Sequence, residues 1–146
     1  MNFEISYAAF GVRPSVEKPI PEFLLEVGEV GIRELVSKHY DAIKKSSIYH
    51  LFPQGDAAFE QAKVHSADFF IQICGGPVYF NQNRGAPRMV GRHAPFRIDA
   101  KAREIWLSLY KPLLKELHET KGVTERSIES YWKYLDVFSL WMINTQ

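Results

Sequence analysis

The chain has a single cysteine, Cys74, which excludes an internal disulfide and a cysteine-based zinc site. Its 18 Lys and Arg nearly balance 17 Asp and Glu, a formal net charge of +1, so no basic excess points to a nucleic-acid partner. No apolar run reaches the ~18 residues of a membrane-spanning helix, and residues 1–16 hold no apolar stretch of signal-peptide length. The expectation is a cytoplasmic protein that binds neither nucleic acid nor membrane, as a monomer or a weak homodimer. Internal repeats, low-complexity tracts and convincing alternating strand patterns are also missing. The glycines never fall as a dinucleotide fingerprint after a strand, so any redox turnover requires an external reductase. Aromatic side chains, by contrast, are plentiful. Ten Phe, seven Tyr and three Trp, 14% of 146 residues, favour either a large aromatic core or a flat apolar ligand.

The patterning predicts an all-α domain over residues 22–146, preceded by an irregular surface extension over 1–21. Gly11, Pro14 and Pro19 interrupt that extension. Pro21 suits the first turn of a short helix that Gly28 closes. From Glu29 to about Lys45 a second helix presents Ile32, Leu35, Val36, Tyr40 and Ile43 as one stripe. After a short apolar corner, Ile48 to Phe52, Asp56 is placed to cap a helix running to Cys74, where Gly75-Gly76-Pro77 breaks it. The segment Val78–Ala86 reads as irregular. Pro87 opens a short helix that cannot pass Ala94, because Pro95 disfavours helical geometry in the residue before it. Asp99 caps a long helix kinked at Pro112 and ended by Gly122, and Thr124 caps the last one.

His93 stands at the end of the short proline-bracketed helix, flanked by Met89, Val90, Pro95 and Phe96. A neutral imidazole in such apolar surroundings suits iron or zinc. Arg84, Arg88 and Arg92 recur at four-residue intervals, with Arg97 close behind, and arginine binds carboxylates through paired hydrogen bonds. Facing them, Ala62, His65, Ser66, Phe69 and Ile73 form a stripe of mostly small or apolar residues that a flat macrocycle could lie against. A core histidine, a solvated basic edge and an ordinary bundle helix account for the same residues without any ligand.

Taken together, Gly75-Gly76-Pro77, Arg88, the run Arg92-His93-Ala94-Pro95-Phe96-Arg97-Ile98, Arg103 and Trp106-Leu107 resemble the group II truncated haemoglobins of bacteria and plants. The similarity runs from about Glu26 to Asn144. The resemblance implies a shortened globin fold, in which two pairs of antiparallel helices sandwich haem b (iron protoporphyrin IX). It makes His93 the proximal ligand of a five-coordinate iron, open to dioxygen, NO or CO on the other side. It places Phe52, Phe69, Tyr79, Arg84, Arg88, Met89, Arg92, Phe96 and Ile98 against the cofactor. Tyr40 and Trp106 become the distal donors, a phenol O–H and an indole N–H that hold bound dioxygen.

Departures from the pattern concern the distal side. Ser66 stands where many relatives carry Leu or Gln, with Ala62 one turn before it, which implies a roomier pocket. The segment between Pro53 and Ala62 is longer than expected, so a register shift would bring His65 over the iron instead. Phe52 replaces a frequent tyrosine. The functions implied are dioxygen and NO chemistry with an external reductant, with three alternatives. These are peroxidase-like chemistry using His65, oxygen storage or gas sensing, and a haem-free helical adaptor.

Overall fold

The computed structural model describes residues 1–146. Its elements are α1 (Pro21–Lys44), a turn of 3-10 helix at Tyr49–Leu51, α2 (Asp56–Ile73), α3 (Tyr79–Arg84), α4 (Met89–His93), α5 (Ala100–Lys121) and α6 (Glu125–Met142). No strand occurs, and no helix is long and apolar enough to cross a membrane.

The helix boundaries follow from local chemistry. Pro21 opens α1, and Gly28, at φ 77° and ψ 163°, interrupts it where two helices were expected. That conformation belongs almost exclusively to glycine. Beyond the break Ile32, Leu35, Val36 and Ile43 are buried, as their spacing predicts, and His39 is buried with them. The Asp99 carboxylate caps α5 by accepting from the Ala102 amide at 2.8 Å, and Gly122 closes it at φ 69°. Helix α5 continues through Pro112. At α6 the Thr124 hydroxyl accepts from the Ser127 amide at 3.3 Å. Glu26 of α1 reinforces that cap, accepting from the Thr124 amide at 2.7 Å and from the Ser127 hydroxyl, which holds its carboxyl below the usual range.

Three local expectations change. Gly55, not Asp56, occupies the cap position of α2, and the Asp56 carboxylate instead accepts from Lys44 Nζ at 3.1 Å. Residues 79–84 are helical rather than irregular. Six residues carry little helical signal of their own, but Phe80 is buried against Phe69 and the Gln72 side chain accepts from the Asn81 amide at 3.1 Å. The segment before Pro21 is irregular as expected, yet it is bound closely to the helices. Trp132 and Trp141 donate their indole N–H groups to the carbonyls of Glu4 and Pro14, each at 2.7 Å. The Ser6 amide donates to Asp136, and the Ile20 amide donates to Ser130 at 2.8 Å.

Helix α1 packs on α2, α5 and α6, while α5 packs on α6, giving two helix pairs that share one aromatic core. Phe23 stacks on Tyr131 at 4.3 Å between ring centres, joining α1 to α6. Helix α3 rests on α2 and α4 on α6, and these two short helices close one side of the space between the pairs.

Candidate functional site

A cavity of about 480 Å³ lies between the helices, within the ~300–1,000 Å³ range of cofactor and ligand sites. Its lining is mostly apolar. Phe52 and Pro53 come from the corner, Phe69 and Phe70 from α2, Phe80 from α3, Met89 from α4, and Phe138 and Met142 from α6. The cavity brings together Tyr40, Phe52, Ala62, His65, Ser66, Phe69, Arg84, Met89, Arg92, His93, Phe96, Ile98 and Trp106 from seven separate stretches of chain. Two expected members are absent. Tyr79 turns away, donating its hydroxyl to Glu29 at 2.9 Å beneath the Arg33 guanidinium, and Arg88 is exposed in a left-handed conformation (φ 44°) at the cap of α4.

His93 is oriented from within its own helix. Its Nδ1 lies 2.6 Å from the Met89 carbonyl oxygen, four residues back. A carbonyl only accepts, so Nδ1 carries the hydrogen and Nε2 keeps its lone pair. Burial lowers the pKa of the ring, with the Met89 bond opposing it, so the imidazole is neutral at physiological pH. The turn after it is fixed as well, since the His93 carbonyl accepts from the Phe96 amide at 3.0 Å and from Asn144 Nδ2 at 3.2 Å.

Two hydrogen-bond donors come from other helices. Trp106 is the one tryptophan of three whose indole N–H has no protein acceptor, and it lines the cavity. Tyr40 stands edge-on to Phe52 at 5.6 Å between centres, and burial raises its hydroxyl pKa while its polar neighbour Ser66 opposes the shift. Ser66 of α2 is therefore a polar neighbour of Tyr40. His65 sits within reach of the charges of Arg84, Asp68 and Arg92. Burial and the two arginines lower its pKa, and its Nδ1 is buried without a partner.

The arginines divide into different roles. The Arg84 side chain has no protein acceptor. Arg92 directs Nε to the Pro87 carbonyl at 2.6 Å and Nη2 to those of Arg84 and Ala86, at 2.9 and 3.1 Å, with its guanidinium 5.1 Å over the Phe80 ring. It thus clasps the loop between α3 and α4. Arg103, quoted in the sequence pattern without a role, is 2% exposed and pairs with Asp136, with Ser139 and with the Ser6 carbonyl. His39, one residue before Tyr40, is 1% exposed and binds the Trp106 carbonyl. Phe138 and Met142 of α6 also line the cavity, and nothing in the sequence separates them from ordinary core.

The donor set fits a haem. No group of three or more His, Cys, Asp or Glu side chains gathers to hold a bare ion. A single neutral imidazole at the wall of a mainly apolar cavity suits a metal whose other ligands come from a macrocycle. Arg84, which lines the cavity, offers its guanidinium to carboxylates at the macrocycle's edge.

Comparison with known proteins agrees. Residues 26–144 match the family described as bacterial-like globin. The structure of phosphate-bound Hell's gate globin IV superposes with a TM-score of 0.83 at 39% identity, covering 95% of this chain and 84% of that one. The group II truncated hemoglobin of Bacillus anthracis superposes at 0.74 with 25% identity, covering 92% and 95%. By sequence, a group 2 truncated hemoglobin of Bacillus subtilis is 27% identical over 85 residues, 58% of this chain and 63% of that one. The chain spans between 24% and 63% of the length of the curated relatives it matches. The all-α architecture is the two-over-two sandwich expected from the sequence, and the family is one of haem-binding, gas-binding proteins. The chain belongs to the bacterial-like globins, as a group II truncated haemoglobin.

Proposed function

We propose that this globin would hold haem b in the cavity through His93, and would take dioxygen, NO or CO beside Tyr40 and Trp106. The observation that carries the reading is the Nδ1 bond of His93 to Met89, which leaves Nε2 as the metal-binding atom of a neutral ring. A second partner of this kind fixes ring orientation and raises ligand basicity. Bound haem supplies an iron that takes up a diatomic ligand and exchanges electrons.

The protein's own groups do the rest. Tyr40 O–H and Trp106 Nε1–H donate hydrogen bonds to a diatomic ligand in the cavity, and the small side chains of Ala62 and Ser66 leave room for it. Phe52, Phe69 and Phe138 keep that space apolar and exclude water. Arg84 binds a carboxylate of the macrocycle, while Arg92 holds the α3–α4 loop against Phe80. Two donors slow ligand release, which favours redox chemistry or scavenging over bulk transport, with electrons from an external reductase. Ser66, a polar neighbour of Tyr40, carries no group that titrates near neutral pH, which favours dioxygen and NO chemistry over peroxide cleavage, a reaction that needs an acid–base group beside its ligand.

Mixing the oxygenated ferrous protein with NO in a stopped-flow instrument tests the reading. Stoichiometric nitrate formed within the mixing time is expected. Nitrate formed no faster than with free haem contradicts the enzymatic form and leaves a storage protein.

A further inference from the structure

We propose that His39 is a positioning residue that fixes the Trp106 indole in the cavity wall. Neighbouring residues of a helix point about 100° apart. Tyr40 therefore faces the cavity while His39, one residue earlier on α1, turns inward toward α5. There its Nε2 lies 2.9 Å from the Trp106 carbonyl oxygen. The acceptor is a carbonyl, so Nε2 carries the hydrogen. The same imidazole stacks on Tyr110 at 3.6 Å and 22°, and meets the Trp106 ring edge-on at 5.1 Å and 84°. Tyr110 in turn stands edge-on to Trp106 at 5.2 Å. One side chain of α1 thus touches both the backbone and the ring of Trp106.

The other tryptophans need no such support, because Trp132 and Trp141 are pinned by their own indole N–H bonds. Trp106 keeps its N–H free for the cavity and has only packing to set its orientation. His39 supplies that packing together with a directional bond, and it ties the helix of Tyr40 to the helix of Trp106. The effect on bound gas rests on the reading of Trp106 as a ligand donor. The positioning of the indole does not.

The test uses the purified, CO-saturated, 15N-labelled protein and reads its tryptophan indole N–H resonances. His39→Phe keeps a ring of similar size and removes the donor, whereas His39→Gln returns an N–H to the same carbonyl. In His39→Phe the Trp106 resonance is expected to shift or split while those of Trp132 and Trp141 stay in place, and His39→Gln restores it. Dioxygen release from His39→Phe is expected to be roughly threefold faster, through a weakened hydrogen bond. A Trp106 resonance unmoved in His39→Phe overturns the proposal, as does a folded His39→Gln protein that shifts it equally far. Should His39→Phe fail to fold, His39→Leu reads the same loss. Trp106→Phe separates the underlying reading: unchanged dioxygen release there removes the donor role, and the indole resonance still decides the role of His39.

Discussion

A carbonyl oxygen on one side of the His93 ring decides what the other side can do. The Met89 carbonyl accepts the Nδ1–H bond, burial keeps the ring neutral, and Nε2 keeps the lone pair that the proposed metal bond requires. The bracketing prolines made this residue legible in the sequence, because Pro87 and Pro95 confine a histidine to a stub of one helical turn. Tyr40 was legible for a different reason: the α1 stripe marks it only as a core position, and its role as a distal donor comes from the family resemblance. Replacing Tyr40 with Phe removes one hydrogen bond of about 1–1.5 kcal/mol, so dioxygen release is expected to quicken roughly tenfold in stopped-flow measurements. An unchanged rate assigns the holding to Trp106 or to water. His39 was not legible, since its partner is a backbone carbonyl 67 residues away and nothing in local spacing signals it. Its burial has a thermodynamic signature. Desolvation pushes the ring pKa down to about 3, from an ordinary 6.5. Between those values the unfolded chain binds a proton that the folded chain refuses, so stability falls as pH drops through that window and is complete above it. His39→Phe is therefore expected to lose about 2 kcal/mol less than the parent between about pH 7 and pH 5, read by urea unfolding at each pH. His65 and His93 shift in the same direction and remain in both proteins.

Elements were legible where a single side chain marks their ends. Asp99 and Thr124 accept from amides three residues on, which is the geometry their residue types announce. The start of α2 was misplaced by one residue because Gly55 holds the cap position with no side-chain signal. Helix α3 was missed because tertiary contacts, rather than propensity, hold it: Phe80 is buried, Gln72 accepts from Asn81, and Asn83 donates to Asp68 at 3.0 Å. Gly28 illustrates the opposite case, a break fully readable from one glycine. An added Cβ there would meet no atom within 4 Å, so only backbone strain opposes it. Gly28→Ala is expected to cost about 1–3 kcal/mol, measured by urea unfolding. A neutral substitution would mean that α1 straightens without loss.

At the scale of the whole molecule, the irregular N-terminal segment is fastened through a buried ion pair that also borders the cavity. Arg103 pairs with Asp136 and donates to Ser139 and to the Ser6 carbonyl, while Asp136 accepts from the Ser6 amide. Neither charge has water to fall back on. Asp136→Ala leaves the guanidinium uncompensated and is expected to destabilise the fold by about 3–5 kcal/mol in urea unfolding. A loss below about 1 kcal/mol would show that the surrounding carbonyls suffice. This network was invisible in the sequence, since Ser6 lies 97 residues from Arg103 and 130 from Asp136 and the segment's composition suggested only an irregular surface extension. The cavity, by contrast, was largely foreseen, because aromatic abundance, the His93 run and the α2 stripe all point to one flat apolar site. The central claim is that His93 binds a metal held in that cavity. It is tested most directly by titrating the His93→Gly protein with hemin, with and without free imidazole. The account predicts that the parent's ligand spectrum is lost in His93→Gly and returns when imidazole fills the gap. A parent-like spectrum in His93→Gly without imidazole would contradict it.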